Sequence, residues 1–269
     1  MTVSLATRRA SFLSLPEWLN PPWNKYDPHS SNPLQTLIDS AILLPALMEY
    51  WDRSRRSAPL ARVDNKIDPH IANNFVQDAL GIQRAINDWE ANLRGGDDKS
   101  HLYIAHLATL KDSSEAENSG RVWPISYTFP NFEIAAALMY FETVHIFLYG
   151  LLIEMVISAE NGEDLDPKDS GIAGHSLNIE ELTTKSLECA DRICQSFEYF
   201  FERDKRMIGR IVILSPFEAV RGLFARLHRT GTGDVNRDVS LAQKLRFCDE
   251  IAQRIKAEGL LIWDGPGSN

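Results

Sequence analysis

A chain of 269 residues, 44% hydrophobic and 24% charged, has the balance of an ordinary globular protein and is long enough to close a core without disulfide staples. Its formal net charge is −9, and its few basic clusters (Arg53, Arg55 and Arg56; Arg203, Lys205, Arg206 and Arg210) read as solvated helix ends, so direct nucleic-acid binding is not expected. The three cysteines, Cys189, Cys194 and Cys248, are odd in number and lie within helical patterns, as small buried side chains do in a reducing intracellular compartment.

The first thirty residues are rich in proline and tryptophan and cannot be helical throughout. No apolar run follows Arg8 and Arg9, so secretion is not expected. A helical stretch is predicted from about Leu34 to Arg56, kinked at Pro45. Asp68 and Pro69 supply an N-cap and a first-turn proline. After them Ile71, Phe75, Ala79, Ile82, Ile86, Trp89 and Leu93 recur at spacings of four and three, one apolar stripe ending near Gly95 and Gly96. His101 to Leu110 is expected to form a shorter helix.

After a polar loop and Trp123-Pro124 comes the most apolar segment of the chain, with Asn131 as its N-cap. From Phe132 onward only Glu133, Glu142, His145 and Glu154 interrupt it. Such a segment is either a membrane span or a central helix wrapped by others. Mid-segment Glu142 and His145 would each cost about 2.5 kcal/mol or more in lipid, and no second such segment follows, so a core helix is expected and no membrane contact.

An acidic, Gly-rich loop over residues 160–177 leads to a helix with Ile179, Leu182, Leu187, Ala190, Ile193, Cys194, Phe197 and Phe201 on one face. Ser215-Pro216-Phe217-Glu218 spells a capping box with proline in the first turn, which predicts a helix start there. That helix ends at Thr230-Gly231. The last helix, with Leu241, Leu245, Cys248, Ala252 and Ile255, stops at Gly259. No alternating run argues for a strand. The expected fold is all-α: a single large irregular helical domain over residues 1–269, about seven or eight helices around one central apolar helix.

Chemical motifs are few. Glu142 and His145 form one Glu-x-x-His, where a di-iron bundle needs two such pairs and two further glutamates; no metal site and no cofactor are expected. Three readings stay open for the pair: a half-site for metal, a hydrogen-bonded buried pair, or the lining of an internal pocket with Tyr140 and Trp123 nearby. As a buried pair, the two are expected to have pKa values pushed toward neutrality. Cys189 and Cys194 are five apart and do not make a Cys-x-x-Cys. Ser215 has no Gly-x-Ser-x-Gly context, and Gly231 and Gly233 lack the lysine of a phosphate loop. No motif identifies an enzyme.

The order of features resembles one family. Phe12-Leu13-Ser14-Leu15-Pro16-Glu17-Trp18, Pro22-Trp23, Leu37-Ile38-Asp39 and Leu44-Pro45 open the chain. Phe129-Pro130-Asn131 then leads into Ala135-Ala136-Ala137-Leu138-Met139-Tyr140. Ala190-Asp191-Arg192-Ile193-Cys194-Gln195-Ser196, Tyr199, Gly209, Leu214-Ser215-Pro216-Phe217, Phe224 and Gly259-Leu260 follow. This is similar to the regulatory, or middle homology, domain of the fungal six-cysteine zinc-cluster transcription factors. Phe141 and Glu142 stand where that family commonly has a tryptophan after the tyrosine. The zinc cluster itself needs six closely spaced cysteines, which this sequence does not contain.

The resemblance implies an all-helical transcription-regulatory module, of the kind that governs secondary metabolism, nuclear or cytoplasmic, without its own DNA reader. Its partners would be other transcription regulators or a second copy of itself, with the Ile71–Leu93 stripe as one route to a homodimer, and a small molecule as possible effector. The other expectation is a stand-alone small-molecule binder or enzyme built on this scaffold, with Trp123, Tyr140, Glu142 and His145 at its pocket.

Overall fold

The computed structural model describes residues 1–19, 32–56, 69–95, 102–107, 122–160, 177–231 and 240–260. In chain order these form α1 (Thr2–Thr7), a 3-10 turn (Phe12–Ser14), α2 (Pro16–Leu19), α3 (Pro33–Ala41), α4 (Leu44–Arg56), α5 (Pro69–Arg94), β1 (Ile104–Leu107), β2 (Ile125–Thr128), α6 (Phe132–Glu160), α7 (Ile179–Phe200), α8 (Arg206–Thr230) and α9 (Leu241–Ala257). Seven of the described helices have nine residues or more, and the fold is all-α around one central helix.

That central helix is α6, 29 residues long and started by Asn131, whose Oδ1 accepts from the Ile134 amide at 2.9 Å. It is apolar nearly all round because it is covered nearly all round, with the row Glu133, Tyr140, Phe147 and Glu154 exposed or half-buried: α3 and α5 pack on it from the preceding chain, α7 and α8 from the following chain. Phe132–Ser158 is long and apolar enough to cross a membrane, yet 83% of its most apolar window is buried within the molecule, as befits a core helix.

The apolar stripe of α5 lies inside, against α3, α4 and α6. Phe75, Ala79, Ile82, Ile86 and Trp89 are all buried, so this stripe is not free to form a seam with a second copy. Trp89 also fixes the α5–α3 contact, its Nε1 donating to the Pro33 carbonyl and the Thr36 hydroxyl. Side chains cap α7, where Asn178 accepts from Glu180 and Glu181, and α9, which opens on a full Ser240–Gln243 capping box. The N-terminal arm is tied down by Arg8, whose guanidinium bonds Asp52 of α4 and Glu154 of α6 at 2.8 Å each.

Three local expectations are corrected. Leu34 to Arg56 is two helices rather than one kinked helix, since Ile42 and Leu43 interrupt it and Pro45 takes the first turn of α4, where a missing N–H costs nothing. Within His101 to Leu110 the residues Ile104–Leu107 form a strand, paired antiparallel with Ile125–Thr128 so that Ile104 faces Thr128 and Leu107 faces Ile125. All four β1 side chains are exposed, so no alternation of burial marked it; β2 is the strand that rests on α7. Finally, α8 starts at Arg206 and runs through Pro216. The capping signature at Ser215 is overridden because Ile213, Phe217, Val220 and Phe224 are fully buried from one continuous helix, which outweighs the roughly 3 kcal/mol that an interior proline costs. The expected caps at Asp68 and the acidic loop at Asp164 to Asp169 lie outside the described residues.

Candidate functional site

Where α5, α6 and α7 meet the small sheet, the helices leave a cavity of about 300 Å3. It is lined from α5 by Asn87, Glu90 and Arg94, and from the sheet and its exit by Tyr103, Tyr127 and Phe129. The central helix contributes Leu138, Met139, Phe141, Glu142, His145 and Tyr149, and α7 adds Cys189, Arg192 and Ser196. The α6 positions follow the helical stripe 138, 142, 145 and 149, and so share one face. Asn87 and Arg94 are exposed at the rim, while Met139, His145, Tyr149 and Cys189 are buried at the floor.

Glu142 is held by Arg192 through paired hydrogen bonds, Nε to Oε1 at 2.6 Å and Nη2 to Oε2 at 3.0 Å. Burial works against the Arg192 charge, but the hydrogen bonds and attraction of Glu142 overcome it and raise the guanidinium pKa. On α5, Glu90 and Arg94 make a second ion pair at 2.6 Å. Arg94 also has its pKa raised, first by Glu90, with a smaller contribution from Tyr103.

His145 is 3% exposed. Its Nδ1 lies 3.0 Å from the Phe141 carbonyl, one turn back, and its Nε2 lies 3.3 Å from the Asn87 side-chain amide. Burial lowers its pKa below 6.5, outweighing the Phe141 hydrogen bond and the Glu142 charge, which raise it. The neutral ring donates from Nδ1 to the carbonyl, and a half-turn of the Asn87 amide presents an N–H to Nε2. Rings pack on both sides, Phe141 at 4.4 Å and Tyr149 at 5.3 Å between centroids. Burial pushes the Tyr149 phenol up to about 12 and raises the Cys189 thiol as well, so both stay protonated at neutral pH.

Two of the four sequence candidates, Glu142 and His145, line the cavity. Tyr140 does not, since two residues on a helix point about 200° apart; it packs half-buried against the core elsewhere on α6. Trp123 meets Phe247 edge-on with ring centroids 4.9 Å apart, and Lys244 Nζ lies 5.6 Å from its ring. The expected Glu142–His145 hydrogen bond is absent among the described residues. Arg192 reaches in from α7 to take the carboxylate, and the imidazole turns back onto its own helix. Burial also moves His145 away from neutrality instead of toward it.

The residues that sequence reasoning passed over are Arg192, the Glu90–Arg94 pair and the tyrosines 103, 127 and 149. Tyr149 follows His145 by four and Arg94 follows Glu90 by four, spacings that place each pair on one helix face. Arg192 carries no such signal. Among the described residues no three His, Cys, Asp or Glu side chains gather as a metal site. The arrangement can bind and orient a small molecule by ring contacts and hydrogen bonds. Compared with known proteins, the chain matches no family model, no curated protein and no solved structure.

Proposed function

We propose that this chain is a helical regulatory module that senses a small molecule and passes its state to a partner transcription regulator. The observation that carries the reading is the cavity of about 300 Å3 set against the central helix. A ligand there touches α5, α6 and α7 together, and so can bias how those helices sit against one another. The resemblance to the zinc-cluster regulators supports the regulatory half of the reading. The net charge of −9 agrees with DNA being reached through another regulator, and a second copy of the chain is the other partner expected, in the nucleus or the cytoplasm.

The test is made in the host cell. The gene is deleted and then restored as wild type or as Ser196→Phe, which fills the cavity. Transcript levels and native mass spectrometry of the purified protein are read together. The expected result is a discrete set of transcripts that respond to deletion and that the filled variant fails to restore, with a small molecule retained only by the wild type. An unchanged transcript profile on deletion would overturn the regulatory reading.

One observation favours a second reading: Glu142 and His145 border the same cavity, as a stand-alone binder or enzyme on this scaffold would have them. Turnover of a bound molecule that is lost in Glu142→Gln with the fold intact would establish it.

A further inference from the structure

The wall of the cavity is balanced in charge. It contains two carboxylates and two guanidiniums, and each is already matched, Glu90 with Arg94 and Glu142 with Arg192. An anion entering at Arg192 lies beside the Glu142 carboxylate and is repelled by it unless it displaces it, and a cation at Glu142 meets Arg192 in the same way. Displacement leaves one charge without its partner in a site whose floor is buried, the costly outcome for any ion pair. An uncharged ligand avoids this.

The remaining wall is aromatic and hydroxylated. Tyr103 and Tyr127 stand with ring centroids 4.7 Å apart, and Phe129, Phe141 and Tyr149 add three further rings to the lining. Offset and edge-on ring contacts suit a flat aromatic guest. Hydrogen-bonding capacity remains as well: Arg192 bonds Glu142 and Cys189 only through Nε and Nη2, so its Nη1 donors are uncommitted among the described residues. A volume of 300 Å3 is the share of about ten waters, enough for a two-ring molecule.

We infer that the cavity takes an uncharged hydroxylated aromatic, a phenol-class ligand, held between the tyrosine and phenylalanine rings with its oxygen bonded at Arg192. The inference rests on the reading of this cavity as the sensing site.

The full chain is titrated calorimetrically at pH 7.5 with three probes of one shape: 2-naphthol, 2-naphthoate and (2-naphthyl)methylammonium. The expected result is that 2-naphthol binds tighter than either charged probe by roughly tenfold or more. Glu142→Gln releases Arg192 and should improve 2-naphthoate relative to 2-naphthol by a similar factor. If 2-naphthoate or the ammonium binds the wild type as tightly as 2-naphthol, the ligand class is overturned and the sensing site stands. Two blocked variants test the site itself: Ser196→Phe from within, and Asn87→Trp at an exposed helical position that tolerates a large side chain. Binding of 2-naphthol that survives the block, or failure of all three probes on the wild type, overturns the site and the ligand class with it.

Discussion

Arg192 on α7 and Glu142 on α6 are joined by two hydrogen bonds although they stand fifty positions apart in the chain. Their side chains are 37% and 12% exposed, so the pair is neither a surface contact nor a fully buried one. Breaking a fully buried pair costs about 3–5 kcal/mol and an exposed one under about 1. Solvent at Arg192 puts this pair between, at about 1–3 kcal/mol for Arg192→Met or Glu142→Gln. A double-mutant cycle by urea unfolding should return a coupling of about 1 kcal/mol or more; strictly additive single effects would show that the pair contributes nothing.

Acid should destabilise the protein through His145. Its folded pKa lies below the ordinary 6.5 because burial disfavours the cation. The unfolded chain therefore takes up a proton first as pH falls. The stabilising contribution is complete above about pH 6.5 and is lost progressively below it, until the pH reaches the depressed folded value. Melting temperature measured from pH 7.5 to 5 should fall more steeply for the wild type than for His145→Phe.

Two glycines on α8 should respond to alanine with opposite signs. A Cβ on Gly209 would sit 2.9 Å from Lys205 Cβ and closer still to the Phe200 carbonyl, whereas one on Gly222 meets nothing within 4 Å. Helix propensity favours alanine by about 1 kcal/mol at either site. At Gly209 the overlap, costing about 1–3 kcal/mol or more, wins. Gly222→Ala should raise the denaturation midpoint and Gly209→Ala should lower it; a rise at both sites would mean that α7 and α8 part easily at that corner.

Arg210 closes the C-terminal end of α7. Its guanidinium donates to the carbonyls of Phe200, Phe201 and Glu202 and to both carboxylate oxygens of Glu258. A lysine has too few donors in the right plane to replace this fork. Arg210→Lys should cost about 2–4 kcal/mol by leaving carbonyls unsatisfied. Glu258→Gln, at a side chain 40% exposed, should cost about 1 or less. Equal losses from the two variants would place the effect in the ion pair instead of the helix end.

The helices were legible where apolar residues repeat at three and four, as in α5, α7 and α9, and where composition alone demanded burial, as in α6. The strands were not, because four residues with every β1 side chain exposed carry no periodic mark. Nor was the start of α8, since a local capping pattern around Ser215 competes with buried side chains whose partners lie on other helices. For the cavity, Glu142 and His145 stood out as ionisable groups in an apolar run. Arg192 and Tyr127 look like ordinary surface residues until the chain folds, and closeness in sequence misassigned Tyr140 and Trp123.

The covering of α6 comes from both sides of the sequence, and this divides it in time. During synthesis α3 and α5 are available when Phe132–Glu160 leaves the ribosome, but α7 and α8 are not. For that interval the nascent chain displays a segment with the hydropathy of a membrane anchor, a surface that chaperones and targeting factors compete to shield. A premature stop between α6 and α7 would make that interval permanent. The truncated product would then meet cellular quality control as a mistargeted or aggregating polypeptide.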